Sequence, residues 1–153
     1  MPLKRRSMVS LEALLRRRLR GLMRLYKLPQ GNTIRLFLLK NKEMEGIRAA
    51  LIEQPGFRGR EASKIKRESQ INVLAFPEPT EFPHPETRVL PMGDIYVNRE
   101  MARLEARRAG DDRELLTRWL IHGFLHLQGF RHYMERDRMK MEREENRLRG
   151  KIK

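Results

Sequence analysis

The sequence predicts an α+β fold: a small mixed β-sheet packed against several helices, with a central buried helix that carries metal-binding histidines. Three observations predict it. Apolar periodicity runs in the order helix, strand, helix, strands and then three helices, with no internal repeat. Residues 119–127 are apolar on every side of a helix apart from Gly123 and two histidines, so this helix belongs in the middle of the structure. A length of 153 residues suits a single domain, 1–153, built round one core.

Ser10 is placed to cap the first helix, along which Leu11, Leu14, Leu15, Leu19, Leu22 and Leu25 recur at helical spacing. The other face is arginine, so residues 1–27 read as an Arg-rich amphipathic N-terminal helix. A mitochondrial transit peptide has the same composition, but the leucine stripe is long enough to dock on a core, and an integral helix is expected. Residues 33–39 are rich in β-formers and predict a strand. Asn41 is placed to cap a short helix to about Glu53, residues 54–70 form a basic loop, and residues 71–76 form a second strand. Five of the eight prolines fall between Pro77 and Pro91, which calls for an extended irregular loop. His84 lies there between two prolines and is expected to be an exposed loop residue outside any site. Residues 95–97 make a third strand. Asn98 then caps a helix that Gly110 ends, and Asp111 or Asp112 caps the central helix. The last helix is expected from about Met134 to Leu148, with a sparse apolar stripe of Met134, Met141 and Leu148 and an otherwise solvated, mixed-charge surface.

Three of the four histidines fall in one stretch, His122-Gly123-Phe124-Leu125-His126-Leu127-Gln128-Gly129-Phe130-Arg131-His132. Residues four apart share a helix face, so His122 and His126 can present two imidazoles to one point. Gly129 is the residue type that takes a left-handed conformation past a helix end, which lets the chain turn back and deliver His132 to the same point. Three neutral imidazoles and an open fourth position are the pattern of a catalytic zinc site. Unpartnered imidazoles in so apolar a helix would cost free energy, and a metal gives them a partner. There is no cysteine, so disulfides are excluded and the ligands are nitrogen or oxygen. Nitrogen-only ligation suits zinc, although nickel, copper and iron also accept imidazole. Metzincin proteases share the spacing but use a glutamate after the first histidine as general base. That position is Gly123 here, so peptide hydrolysis by their route lacks its proton acceptor.

The histidine stretch resembles the motif H-G-x-L-H-L-x-G-[YF]-x-H of the YbeY endoribonucleases, a family acting in ribosomal RNA maturation and small-subunit quality control. It matches at every defined position. Asn72-Val73-Leu74-Ala75-Phe76-Pro77 is similar to the family's [DN]-V-L-S-F-P strand, and Gly93-Asp94-Ile95 to its G-[DE]-I strand. The resemblance covers residues 33–148. It implies that His122, His126 and His132 hold one Zn(2+) per chain. It also implies a single-strand-specific endoribonuclease whose partners are ribosomal RNA and the small ribosomal subunit. The family has a functional arginine in a [FY]-R-G-x-D stretch, which Phe57-Arg58-Gly59-Arg60-Glu61 resembles, so Arg58 is the catalytic cation the resemblance implies. Arg58 lies further from Asn72 than the family spacing, and an insertion is assumed. Without a gap, Ile65 would take that place, with Lys66 and Arg67 beside it. The family commonly has aspartate before the third histidine, where this chain has Arg131. An arginine cannot accept a hydrogen bond, so the carboxylate that orients a ligand is vacant or supplied elsewhere, with Asp94 as a candidate.

The net charge is +14, from 34 Lys and Arg against 20 Asp and Glu, and such an excess favours a polyanionic partner. It is concentrated in residues 1–27, where nine basic residues face only Glu12, and in residues 58–67, where Arg58, Arg60, Lys64, Lys66 and Arg67 face only Glu61. RNA phosphate is the expected partner, and neither DNA nor membrane is expected. No apolar run approaches spanning length, and no secretory h-region precedes a cleavage site. The expected location is a bacterial cytoplasm, or a mitochondrial matrix if the source is eukaryotic. Zinc lowers the pKa of a bound water to about 7, suiting attack on a phosphodiester or proton abstraction from a 2′-hydroxyl, with the Arg58 guanidinium on the phosphoryl oxygens. The competing reading is a non-catalytic ribosome-assembly RNA-binding factor with a structural metal. The arginine-rich helix and basic loop fit it equally well, and cleavage separates the two.

Overall fold

A computed structural model describes residues 2–55, 72–78, 90–109, 111–132 and 134–152. Arg58, Ile65, Lys66, Arg67 and His84 lie outside the described residues. The elements are α1 (Pro2–Leu25), β1 (Asn32–Leu39), α2 (Asn41–Glu53), β2 (Val73–Pro77), β3 (Leu90–Asn98), α3 (Arg99–Ala109), α4 (Asp112–Leu127) and α5 (Glu135–Lys151). The strands form one mixed sheet in the order β1-β3-β2, with β1 parallel and β2 antiparallel to β3. This is the predicted α+β arrangement. Among the described residues no helix is long and apolar enough to cross a membrane.

The α4 helix is the central element. Its residues Leu116, Leu120, Ile121, Phe124 and Leu125 are wholly buried, and it packs on β2, β3, α1, α3 and α5. Asp111 starts it by accepting the Arg113 N–H at 2.9 Å, while Asp112 and Glu114 in the first turn meet the positive end of the helix dipole. Side chains alternate across the sheet. Leu36, Ile95 and Val97 join α1 and α4 in the main core. On the opposite face Leu39, Leu74, Phe76 and Tyr96 meet Met44, Ile47 and Leu51 of α2. Gly93 (φ +145°) and Gly123 let the layers close. A Cβ on Gly93 would strike the Phe76 carbonyl oxygen and come within 2.9 Å of Leu127 Cδ2, and one on Gly123 would come within 2.9 Å of Ile95 Cγ2.

The first helix does not begin at Ser10. It runs from Pro2, and Leu15, Leu19 and Leu22 enter the core while Leu25 stays 39% exposed. Asn98 caps α3 as predicted, its Oδ1 accepting the Met101 N–H at 3.0 Å. Asn41 does not cap α2: Lys40 holds that position, and Asn41 Oδ1 accepts the Asn98 amide at 2.7 Å. The third strand extends well beyond 95–97 and takes in Pro91. Pro91 pairs with Thr33 at the register shift between Thr33 and Ile34, an irregularity that tolerates proline. In α5, Met141 and Leu148 are buried as expected, but Met134 is the N-cap and 59% exposed. The α5 surface is only partly solvated. Tyr26 of the turn after α1 donates to Glu144 at 2.6 Å, and burial together with that carboxylate pushes the phenol up to about 12. Tyr26 also sets its ring edge against Phe124, so α5 is tied to both α1 and α4.

Candidate metal centre

His122 and His126 occupy successive turns at the C-terminal end of α4. The helix stops in a Schellman turn. The Phe130 N–H donates to Leu125 O at 3.0 Å, the Gly129 N–H donates to His126 O at 3.1 Å, and Gly129 has φ +95°. The chain reverses there and places His132 beside the other two rings, with centroid separations of 4.6, 5.4 and 4.8 Å. One nitrogen from each ring lies within 4.8 Å of the others. Neighbouring nitrogens on a tetrahedral zinc are about 3.3 Å apart, given bonds of ~2.0–2.1 Å, so small ring movements suffice to ligate one ion.

Hydrogen bonds behind the rings fix which nitrogens face inward. His126 Nδ1 lies 3.0 Å from the Phe130 carbonyl, which can only accept, so that nitrogen carries the proton. His122 Nδ1 lies 2.8 Å from Glu145 Oε1 and donates to that carboxylate. Each ring then turns an Nε2 lone pair inward, and the two Nε2 atoms sit 3.0 Å apart. Two facing lone pairs repel, and a shared cation removes the repulsion. The residues therefore fit a zinc-class ion in its usual environment of neutral imidazoles oriented from behind.

Burial first, and then electrostatic repulsion from neighbouring His122, hold His126 down to about 4 from an ordinary 6.5. It therefore offers a neutral nitrogen through the physiological range. The unfolded chain binds this proton more readily than the folded one. In metal-free protein the His126 contribution to stability is present in full above about pH 6.5 and is lost as pH falls towards 4. The unfolding midpoint of metal-free protein should decline across that window, and His126→Asn should flatten the decline.

Glu145, and not the candidate Asp94, supplies the carboxylate behind the histidines. Asp94 instead accepts two hydrogen bonds from Arg35, at 2.7 and 2.8 Å. It alternates with Ile95, which faces α4, so it projects to the other side of the sheet. Arg131 donates to the carbonyls of His126 and Phe130 at 3.4 and 3.3 Å. The signal for Glu145 was present in the sequence: with Met141 and Leu148 it makes an i, i+4, i+7 stripe, an acid on the face that packs inward. Glu145→Ala should weaken zinc binding about 10–100-fold while keeping all three imidazoles, as measured by competition with a chromophoric chelator.

Gly123 also has a structural explanation. It is buried against Ile95 and Val73, so its position faces the sheet while the histidines face α5 and the turn. A side chain there would not point at the metal.

A family model described as Endoribonuclease YbeY matches residues 4–153. The chain belongs to the YbeY family. Relatives named Endoribonuclease YbeY include one from Agrobacterium fabrum, 38% identical over 87 residues that cover 54% of this chain and 49% of the relative. One from Myxococcus xanthus is 30% identical over 114 residues, covering 71% and 37%, and one from Sinorhizobium medicae is 36% identical over 89 residues, covering 56% and 51%. The chain spans about half the length, or less, of these curated relatives. The YbeY match reaches further than the motifs alone, since it starts at residue 4 and so includes most of α1.

Proposed function

We propose that this YbeY-family chain is a metal-dependent endoribonuclease for single-stranded RNA, acting in maturation of small-subunit ribosomal RNA, with His122, His126 and His132 holding one zinc ion. The observation that carries the reading is the convergence of the three imidazoles, two of them locked from behind so that Nε2 faces inward. Zinc held there supplies a Lewis acid and lowers the pKa of water to about 7. The protein's own contribution is positioning. The apolar α4 fixes the first two rings, the Gly129 turn fixes the third, and Glu145 and the Phe130 carbonyl keep the Nδ1 protons in place. Glu145 is committed to His122, so it orients a ligand and does not collect a substrate proton. Arg58 is the proposed cation for charge developing on the phosphoryl oxygens; it lies outside the described residues.

The outer face of α1 fits the RNA backbone. Arg17, Arg20 and Arg24 are exposed there. Arg18 is not part of that face, because it turns inward to Thr117 Oγ1 and the Arg113 carbonyl. Replacing Arg17, Arg20 and Arg24 together with alanine should reduce the slope of log K against log[salt] by up to about 2, since each contact with single-stranded phosphate contributes ~0.7. An unchanged slope would remove α1 from the RNA-binding surface.

The function is tested by incubating single-stranded ribosomal RNA with zinc-loaded protein, metal-stripped protein and His126→Ala. Cleavage by the loaded wild type alone supports the ribonuclease. Tight binding with or without metal, and no cleavage, would make the chain an RNA-binding assembly factor with a structural metal.

A further inference from the structure

A cavity of about 340 Å3 opens beside the histidine cluster, lined by Gln128, Gly129, Phe130 and Arg131 from the turn after α4 and by Asp137 and Lys140 from the start of α5. Its size falls within the range of ~300–1,000 Å3 typical of ligand sites. Its wall is the turn that builds the metal centre. The Phe130 carbonyl anchors His126 at 3.0 Å, and Arg131 directly precedes His132. A group bound in the cavity therefore rests on the turn that carries the metal centre, although none of the three histidines lines it.

The polar groups of the lining have one kind of chemistry to spare. Arg131 is exposed, and its guanidinium makes only the long bonds to the two carbonyls and meets no carboxylate among the described residues. Lys140 is exposed on α5 and likewise pairs with no described acid. Gln128 Nε2 is buried with no hydrogen-bond partner among the described residues, an orphan donor of the kind folded proteins seldom leave. Among the described residues of the lining Asp137 supplies the only negative charge, against Arg131 and Lys140. A guanidinium fork and an ammonium both seek anionic oxygens, and a phosphodiester offers two.

We propose that this cavity is a phosphate subsite of the RNA strand, holding a phosphodiester near the one at the histidines, with Arg131 as its principal donor and Lys140 completing it. The proposal rests on the ribonuclease reading for the identity of the polymer. Binding of a 12-nucleotide 2′-O-methyl oligouridylate, which has no 2′-hydroxyl to act as nucleophile, would be measured against salt on zinc-loaded protein, with the length of the recovered probe checked. Arg131→Ala should weaken binding by about tenfold or more and lower the salt slope by ~0.7, and Arg131→Lys should recover part of both. Asp137→Asn should tighten binding by removing the opposing charge. Zinc content should be the same in all of these. If Arg131→Ala loses zinc, Lys140→Ala decides, since it lies outside the ligand turn: weaker binding with full zinc supports the subsite, and unchanged binding overturns it. Wild-type affinity and slope in a zinc-replete Arg131→Ala, or weaker binding in Asp137→Asn, would also overturn it. The two readings fail separately. RNA cleavage with no Arg131 effect removes the subsite alone, and an Arg131 effect without any cleavage removes the ribonuclease alone.

Discussion

Gly123→Glu is expected to destabilise the protein by several kcal/mol and to confer no peptidase activity, although it restores the glutamate of the H-E-x-x-H spacing. A Cβ at position 123 would sit 2.9 Å from Ile95 Cγ2 and 3.2 Å from Val73 Cγ2, so α4 would have to lift off β2 and β3. Overpacking of this kind costs about 1–3 kcal/mol. The carboxylate would add the larger cost of burying an unpaired charge among apolar side chains. Gly123→Ala separates the two contributions. It should lose up to about 2 kcal/mol, because overpacking of about 1–3 kcal/mol is offset in part by the ~1 kcal/mol that alanine gains over glycine in a helix. Urea unfolding reads both variants through the midpoint. A glutamate variant with the wild-type midpoint would show that position 123 does not face the sheet.

Zinc is expected to raise the thermal midpoint of the wild type and to leave that of His126→Ala unchanged. Anything that binds the folded state alone stabilises it by mass action, by about 4 kcal/mol at a thousand times Kd. For a chain of this size that corresponds to a shift on the order of 10 °C. His126 lies between the other two ligands, and its loss leaves His122 and His132 with ring centroids 5.4 Å apart. Two imidazoles cannot hold the ion as three do. RNA cleavage by His126→Ala should fall to the metal-free background. Differential scanning calorimetry with and without zinc would measure the shift, and an equal shift in the variant would place the ion elsewhere.

The parts of the structure legible in the sequence are those set by short-range chemistry. The α4 helix is apolar on all sides because it is surrounded, and no neighbour had to be known to infer that. Asn98, Asp111 and Gly129 do what their side chains or freedom from a Cβ allow within three or four residues of themselves. The Gly129 turn explains why three histidines separated along the chain converge on one point. Ser10 shows the limit of the same logic. Its residue type suits a cap, but the cap preference is weak beside a stretch whose neighbours also accept helix, and α1 runs through it.

What escaped the sequence depends on partners far away along the chain. The side chain of Asn41 is committed to Asn98, 57 residues on, and so does not cap the helix it begins. Glu145 reaches His122 across 23 residues. The carboxylate behind the histidines therefore comes from the last helix and not from the residue before His132. Strand alternation removes the candidate Asp94, since Ile95 faces the core and its neighbour must face away. The length of β3 was hidden by Pro91, which argues against a strand unless a register shift accommodates it.

The central claim is that His122, His126 and His132 together hold one zinc-class ion through nitrogen. X-ray absorption spectroscopy on the zinc-loaded protein tests it most directly, with total metal measured on the same sample. One ion per chain, with three imidazole nitrogens at about 2.0–2.1 Å and a fourth light ligand, is the predicted result, with one imidazole fewer or no bound metal in His132→Ala. A first shell with fewer than three imidazoles in the wild type, or an identical spectrum and full occupancy in His132→Ala, would contradict it.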